Sequence, residues 1–340
     1  MVLHKIKMIY LNLLKRYMGV WQFFLWEEKQ IVKKNLLPHY RDRQIKKGYQ
    51  YPHAVVYMAN GWSWAGGIAD RFKGMLSLYM WCKDHNKVFK IHFVEPFRLE
   101  NYLDENVCKW VIQDDDVCYD VDNIDVEAFL MEPVLAVPEV QCIIQELQEK
   151  WQDEHLKSSK CQVHVYTNMR CGNHRFSELF NDLFKPSERL QREIELQQKH
   201  LTNKYISISF RFTTLLGDFT DCTGEPLSEP RREELIKQSL IAIEKIKASA
   251  PSHNVVLVTA DSERFLKEVT KVLGVYVIPG KVGHIDYDYG DDVNMKTFLD
   301  FFLISGAQKV YLAKGPGMYN SAFAKTAALV NNRDFEVYEY

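Results

Sequence analysis

The sequence lacks the marks of several protein classes. Its seven cysteines (Cys82, Cys108, Cys118, Cys142, Cys161, Cys171 and Cys222) are odd in number and irregularly spaced, with no CxxC pair. That argues against a small secreted disulfide scaffold, and against a zinc site built on ligands roughly two to four residues apart. They read as reduced thiols of a cytosolic protein, several of them simple core residues. An excess of charge of one sign is lacking too: 43 Lys+Arg stand against 45 Asp+Glu, a formal net charge of −2. A generally basic nucleic-acid binder is thereby excluded. No GxGxxG follows a candidate strand, which disfavours a dinucleotide-dependent dehydrogenase. No repeat of fixed period is present. The longest apolar stretch, Met8 to Trp26, is broken by Lys15 and Arg16, whereas a spanning helix needs about 20 mostly uncharged residues.

What is present fits a folded chain of about two domains at roughly 150 residues each. With 340 residues, 46% of them hydrophobic and 13% aromatic, it can bury large cores and is neither disordered nor collagenous. Residues 1–50 form a basic, amphipathic arm. The apolar stretch runs into Glu27-Glu28 without a small-residue cleavage site, against a signal peptide. Lys5, Lys7, Lys15, Arg16, Lys33 and Lys34, with Trp21, Phe23, Phe24 and Trp26, suit a helix lying on an anionic membrane surface. The same helix packed on the protein's own body fits equally well.

From His53 the chain reads as α/β. His53–Met58 is a buried strand, Asn60–Gly67 a glycine loop, Ile68–Asp84 a helix and Val88–Val94 a second strand, together a Rossmann-like βαβ unit. Gln113–Pro138 reads as acidic and irregular, with Asp114–Asp116 a solvated loop. A helix over Glu139–His155 and a strand over Gln162–Thr167 follow. Ser187 is placed to cap a polar helix reaching about His200, expected as the linker between halves. The second half repeats the rhythm. Strands are expected at Tyr205–Phe210, Asn254–Thr259, Val275–Ile278 and, last, Lys309–Ala313. Helices are expected at Arg231–Ser249, Glu263–Leu273, Met295–Ser305 and from about Asn320. Two such halves facing each other would set a ligand cleft between them.

Three strand-to-loop junctions of the second half carry chemistry. Arg211 follows a strand, with Asp218 seven residues on; Asp261 and Ser262 end another. Gly315–Ser321 is a glycine turn leading to a helix start, where backbone N–H groups favour phosphate. An arginine, an acid and an anion-binding helix start suit a nucleoside diphosphate. Each also has a plainer reading: a surface ion pair, a helix cap, a turn. Asp70 is the candidate general base, or a cap on its helix. Trp62 and Trp64 would stack on an acceptor sugar or anchor their loop. The loop His284–Asp292 has no metal-specifying spacing and reads as hydrated.

In this combination the chain resembles the fucosyltransferase superfamily. The motifs are Gly66-Gly67-Ile68-Ala69-Asp70-Arg71-Phe72-Lys73-Gly74, Ser209-Phe210-Arg211 with Gly217-Asp218, Val258-Thr259-Ala260-Asp261-Ser262, and Tyr319-Asn320-Ser321-Ala322-Phe323-Ala324. Leu183-Phe184-Lys185-Pro186-Ser187 adds to them. Ser209 stands where the family usually has His, and Thr259-Ala260-Asp261 carries one residue more than the family's Thr-Asp-Ser.

The resemblance implies a distant member with the GT-B fold, two facing Rossmann-like domains with parallel sheets. These would be an acceptor-side domain at 51–186, a linker helix at 187–203 and a nucleotide-sugar domain at 204–340. It implies inverting, metal-independent transfer of a sugar, fucose or another from a GDP-sugar, to a hydroxyl of a glycan or lipid-linked acceptor. The cysteine usage and the basic arm suit a cytoplasmic setting, peripheral to the inner membrane face. No cofactor beyond the donor is implied. Arg211 would hold the β-phosphate and stabilise departing GDP, and Asp261 would recognise guanine. Ser209, Asp218, Ser262, Gly317, Ser321 and Phe323 would line the nucleotide site, and Gly66, Gly67 and Arg71 would approach it. A different group transfer, such as from another sugar nucleotide or a pyruvyl-type transfer, and a non-catalytic glycan- or partner-binding protein remain as alternatives.

Overall fold

A computed structural model describes residues 19–43, 50–64, 66–130, 144–170, 172–201, 204–219, 224–250, 255–285 and 290–340. In chain order these form α1 (Val20–Ile31), a widened π-helical turn (Val32–Leu36), α2 (Leu37–Arg41), β1 (Ala54–Ala59), α3 (Ile68–Asp84), β2 (Phe89–Phe93), β3 (Leu103–Glu105) and β4 (Ile124–Phe129). Next come α4 (Ile144–His155), β5 (Gln162–Thr167), α5 (Asn173–Leu183), β6 (Phe184–Pro186), α6 (Glu188–Gln198) and β7 (Ile206–Phe210). The remainder is α7 (Glu229–Ser249), β8 (Val256–Ala260), α8 (Glu263–Val269), β9 (Val275–Tyr276), α9 (Asp291–Gly306), β10 (Lys309–Lys314), α10 (Phe323–Val330) and β11 (Asp334–Glu339).

The chain divides into two compact units. The first comprises Met1–Ala65, Asp70–Glu95 and Lys109–Cys171, the second Gly66–Ala69, Pro96–Cys108 and Gly172–Tyr340. Helix α6, expected as a linker, falls within the second unit, as do residues 172–186.

The first unit holds a parallel sheet in the order β2-β1-β5-β4. Strands β1, β2 and β5 are buried at every position, as expected of parallel strands covered on both faces. Helix α3 comes so close to β5 that a Cβ at Gly74 would sit on the Thr167 carbonyl oxygen, which is why only glycine fits there. Of the two placements open for the N-terminal arm, the described part packs on this unit. Phe23 and Phe24 are buried, and Phe24 meets Phe129 of β4 edge to face at 5.0 Å. Glu28 accepts a hydrogen bond from the Leu130 amide at 2.9 Å. Burying such rings stabilises by roughly 1.5–3 kcal/mol each, which commits Phe23 and Phe24 to the protein's own body. Lys5, Lys7, Lys15 and Arg16 lie outside the described residues. No helix among the described residues is long and apolar enough to cross a membrane.

The second unit holds a five-stranded parallel sheet in the order β11-β10-β7-β8-β9. Its core joins Ile206, Ile208 and Phe210 of β7 to Ile243 of α7, Val258 of β8 and Phe265 of α8. Ser187 caps α6, its Oγ accepting from the Leu190 amide. Four strands depart from expectation, the short antiparallel pair β3 and β6 among them. Strand β4 lies in the stretch read as irregular, and β11 follows what was read as the last strand. Helix α9 begins at Asp291, four residues before its expected start at Met295.

Candidate functional site

In the second unit the chain leaves β7 for β8 and β9 on one side, then returns to place β10 and β11 on the other. The switch therefore lies between β7 and β10, and open parallel sheets bind ligands at the carboxyl ends of strands at such a switch. Register fixes what meets there. Ala313 pairs with Phe210 and Phe210 with Ala260, so Arg211, Asp261 and the Gly315 turn emerge side by side.

These three are joined. Asp261, 5% exposed, accepts from the amides of Phe212 at 2.8 Å and Thr213 at 2.7 Å. Its Oδ2 lies 3.3 Å from Arg211 Nε. Burial pushes the Asp261 carboxyl above the usual carboxylate range, while the Arg211 charge and the two amides pull it back. The Arg211 guanidinium lies 4.6 Å over the Phe219 ring, a cation–π contact. The Arg211 carbonyl accepts from the Tyr319 amide at 3.2 Å, which ties the β7 loop to the turn after β10. Gly317 in that turn has φ of 77°, where a side chain would be strained.

Thr213 is the residue sequence reasoning missed. It is buried with φ of 55°, an outlier for a β-branched residue, and such strain persists only where surroundings enforce it. Here Asp261 enforces it through the Thr213 amide, and the held turn carries Arg211. No local sequence signal marks Thr213, since the constraint comes from the neighbouring strand.

The other expected residues divide by their partners. Asp218 Oδ2 accepts from Ser262 Oγ at 2.9 Å and from the Arg264 amide at 2.8 Å. Ser262 Oγ in turn accepts from the Phe265 amide at 3.1 Å, so the pair caps α8, as the plainer reading had it. Ser209 Oγ and Thr259 Oγ1 share a hydrogen bond of 2.8 Å between adjacent strands. Ser321 Oγ accepts from the Phe323 amide at the start of α10 (3.2 Å), and the Phe323 ring packs edge-on against Phe301 (5.6 Å). Gly66 is buried with φ of 76°, and a Cβ at Gly67 would stand 4.0 Å from His284 Nε2. His284 faces Phe219, the ring beneath Arg211, at 6.3 Å.

In the first unit, Asp70 pairs with Lys73 at 2.9 Å one turn along α3. Arg71 is buried, donates to the Glu95 carbonyl at 3.3 Å and lies 5.1 Å over Phe93. Trp62 is held in a cluster with His39 (4.9 Å), Tyr40 (5.2 Å) and Tyr119 (6.0 Å), the anchoring alternative. Trp64 is half exposed. Among the described residues no three His, Cys, Asp or Glu side chains could hold a metal ion. Asp286 and Asp288 of the candidate loop lie outside them. Cys142, Cys171 and Cys222 do too; Cys82 and Cys118 are buried, and Cys108 and Cys161 are partly so.

Two parallel-sheet units, one with a ligand-type switch point, define an α/β fold of the GT-B class, as the sequence motifs implied. No protein-family profile and no curated protein sequence matches the chain. Among solved structures, fucosyltransferase NodZ from Bradyrhizobium shares the fold. It is 17% identical, with 82% of this chain and 93% of that one covered and a TM-score of 0.51. The NodZ α-1,6-fucosyltransferase co-crystallised with GDP is 16% identical, with 82% and 92% covered and a TM-score of 0.51. POFUT1 in complex with GDP is 10% identical, with 86% and 99% covered and a TM-score of 0.49.

Proposed function

We propose that the chain is a glycosyltransferase, moving a sugar from a GDP-sugar, fucose by the resemblance, to a hydroxyl of a glycan or lipid-linked acceptor. The observation that carries this is the Arg211–Asp261–Thr213 constellation at the switch point of the second unit, on a fold shared with a fucosyltransferase crystallised with GDP. Arg211 is the group that stabilises charge on departing GDP, and Asp261 is its positioning residue. The buried Asp261 carboxylate already serves two amides and a guanidinium, so its first task is to set the Arg211 turn rather than to read a base. Gly317, Ser321 and Phe323 form the turn and helix start for phosphate oxygens. Asp218 and Ser262 support from behind.

Direct displacement by the acceptor hydroxyl, inverting and without metal, is the mechanism proposed, since an arginine and backbone amides can take the leaving charge. Asp70 is the proposed base, tested by Asp70→Asn. Thermal shift with GDP, UDP and CDP tests the donor class. Stabilisation by GDP alone supports the reading, and no response to any nucleotide favours a non-catalytic binding protein.

A further inference from the structure

The turn between β10 and α10 is held from behind by a residue that no sequence motif marked. Tyr340, just past β11, closes on it through both backbone and side chain. Its amide donates to the Lys314 carbonyl at 3.3 Å, which carries the pairing of β10 with β11 up to the turn. Its ring fills the space that a side chain at Gly315 would need. A Cβ there would stand 3.0 Å from Tyr340 Cε2, 3.1 Å from Cζ and 3.2 Å from the hydroxyl oxygen. Gly317 in the same turn needs glycine for its positive φ, and Gly315 does not. What glycine supplies at 315 is room for Tyr340.

The ring is itself pinned. Its hydroxyl shares a 2.6 Å hydrogen bond with Ser239 Oγ of α7 and donates to Met318 Sδ at 3.3 Å. Burial pushes the hydroxyl pKa up to about 12 against the pull of Ser239, so the group stays neutral at ordinary pH. Met318 Sδ also accepts from the Gly315 amide at 3.1 Å, and the Met318 amide donates back to the Gly315 carbonyl at 3.1 Å. Ser239 and Met318 are both buried. On its other side the turn donates the Tyr319 amide to the Arg211 carbonyl. A continuous chain of contacts therefore runs from α7 through Tyr340 and the turn to the Arg211 segment.

We propose that Tyr340 is a positioning residue for the nucleotide site. With Ser239 it sets the Gly315–Met318 turn, and through Tyr319 the Arg211 segment, in the geometry that holds a diphosphate. The role rests on the donor-site reading above; the packing that motivates it does not. A residue that only filled the edge of the core would move stability and leave the affinity of the folded chain for GDP alone.

The test is calorimetric titration of the full chain with GDP. It compares wild type with Tyr340→Ala, Tyr340→Phe, Gly315→Ala and the Gly315→Ala/Tyr340→Ala double variant, each shown folded by its melting curve. Tyr340→Leu takes the place of Tyr340→Ala if the alanine variant does not fold. Ile246→Ala, two turns along α7 from Ser239 in the same core, controls for lost stability alone. Tyr340→Ala should weaken GDP binding about tenfold, and Tyr340→Phe, which keeps the ring, should stay within about threefold of wild type. Gly315→Ala should cost about fivefold on its own and nothing further beside Tyr340→Ala, because the ring it meets is gone. Ile246→Ala should bind as wild type does. Wild-type affinity in folded Tyr340→Ala overturns the proposal and leaves the donor reading standing. So does an equal loss in Ile246→Ala, a phenylalanine variant as weak as the alanine one, or two losses that multiply in the double variant. A wild-type chain that does not bind GDP removes the donor reading and the proposal with it.

Discussion

Asp261→Asn is the sharpest perturbation of the proposed donor site, because it preserves shape and changes only what the side chain can accept. The carboxylate takes the Phe212 amide on Oδ1, and the Thr213 amide and Arg211 Nε on Oδ2. An asparagine can still accept from one amide. Its NH2 then faces a donor in either orientation, the Phe212 amide if the carbonyl keeps the Oδ2 partners. A buried donor left unsatisfied costs about 1–3 kcal/mol, and hydrogen bonds to charged groups contribute roughly 1.5–3 kcal/mol. Removing the charge relieves the burial penalty that pushes this carboxyl up, which offsets part of the loss. The net expectation is about 2–4 kcal/mol of destabilisation. Urea unfolding measures it, with GDP titration of the folded variant alongside. If Asp261 positions Arg211, GDP affinity falls by about tenfold even where the variant is fully folded. A variant within about 0.5 kcal/mol of wild type, with unchanged GDP affinity, would show that Asp261 does not position Arg211.

Two further outcomes follow from the first unit. Gly74→Ala forces α3 off β5, since the new methyl also lies 3.0 Å from the Thr167 carbonyl carbon; a loss of about 2 kcal/mol or more in urea unfolding is expected. His164 has its pKa lowered from 6.5 to about 3, by burial first and by His92 second. The unfolded chain therefore binds one more proton across that window, and stability falls as pH drops below about 6.5, by about 1.4 kcal/mol per unit. Between pH 7 and pH 5, wild type should lose about 2 kcal/mol more than His164→Gln; parallel losses would show that His164 is charged in the fold.

Strands that bury both faces were legible from sequence: HAVVYM, QVHVYT and YISISF are short runs rich in β-branched and aromatic residues, and each is a central strand. Strand β4, IDVEAF, alternates acidic and apolar residues because it is an edge strand, and acidic neighbours hid it. Strand β11, DFEVYE, is an edge as well, largely exposed, with little apolar pattern to betray it. Arg211, Asp261 and the Gly315 turn could be read because each stands at a strand end. Their mutual geometry could not, since Asp261 and Thr213 are 48 positions apart and meet only through the pairing of β7 with β8. The contact of Tyr340 with the Gly315 turn was hidden for a related reason. Ser239, Gly315 and Tyr340 come from three separate elements, and no local motif joins them. The arm's aromatic and basic residues resemble a membrane surface helix in composition, and only packing against Phe129 separates the two placements.

The switch point of the second unit is proposed to hold GDP through Arg211. Its most direct test is incubation of the chain with a panel of sugar nucleotides, with released nucleotide detected by mass, in wild type and Arg211→Ala. GDP release is expected from GDP-fucose or a related GDP-sugar, none from UDP- or CDP-sugars, with a loss of about 100-fold or more in the variant. Release that is indifferent to the base, or that survives intact in Arg211→Ala, would contradict it.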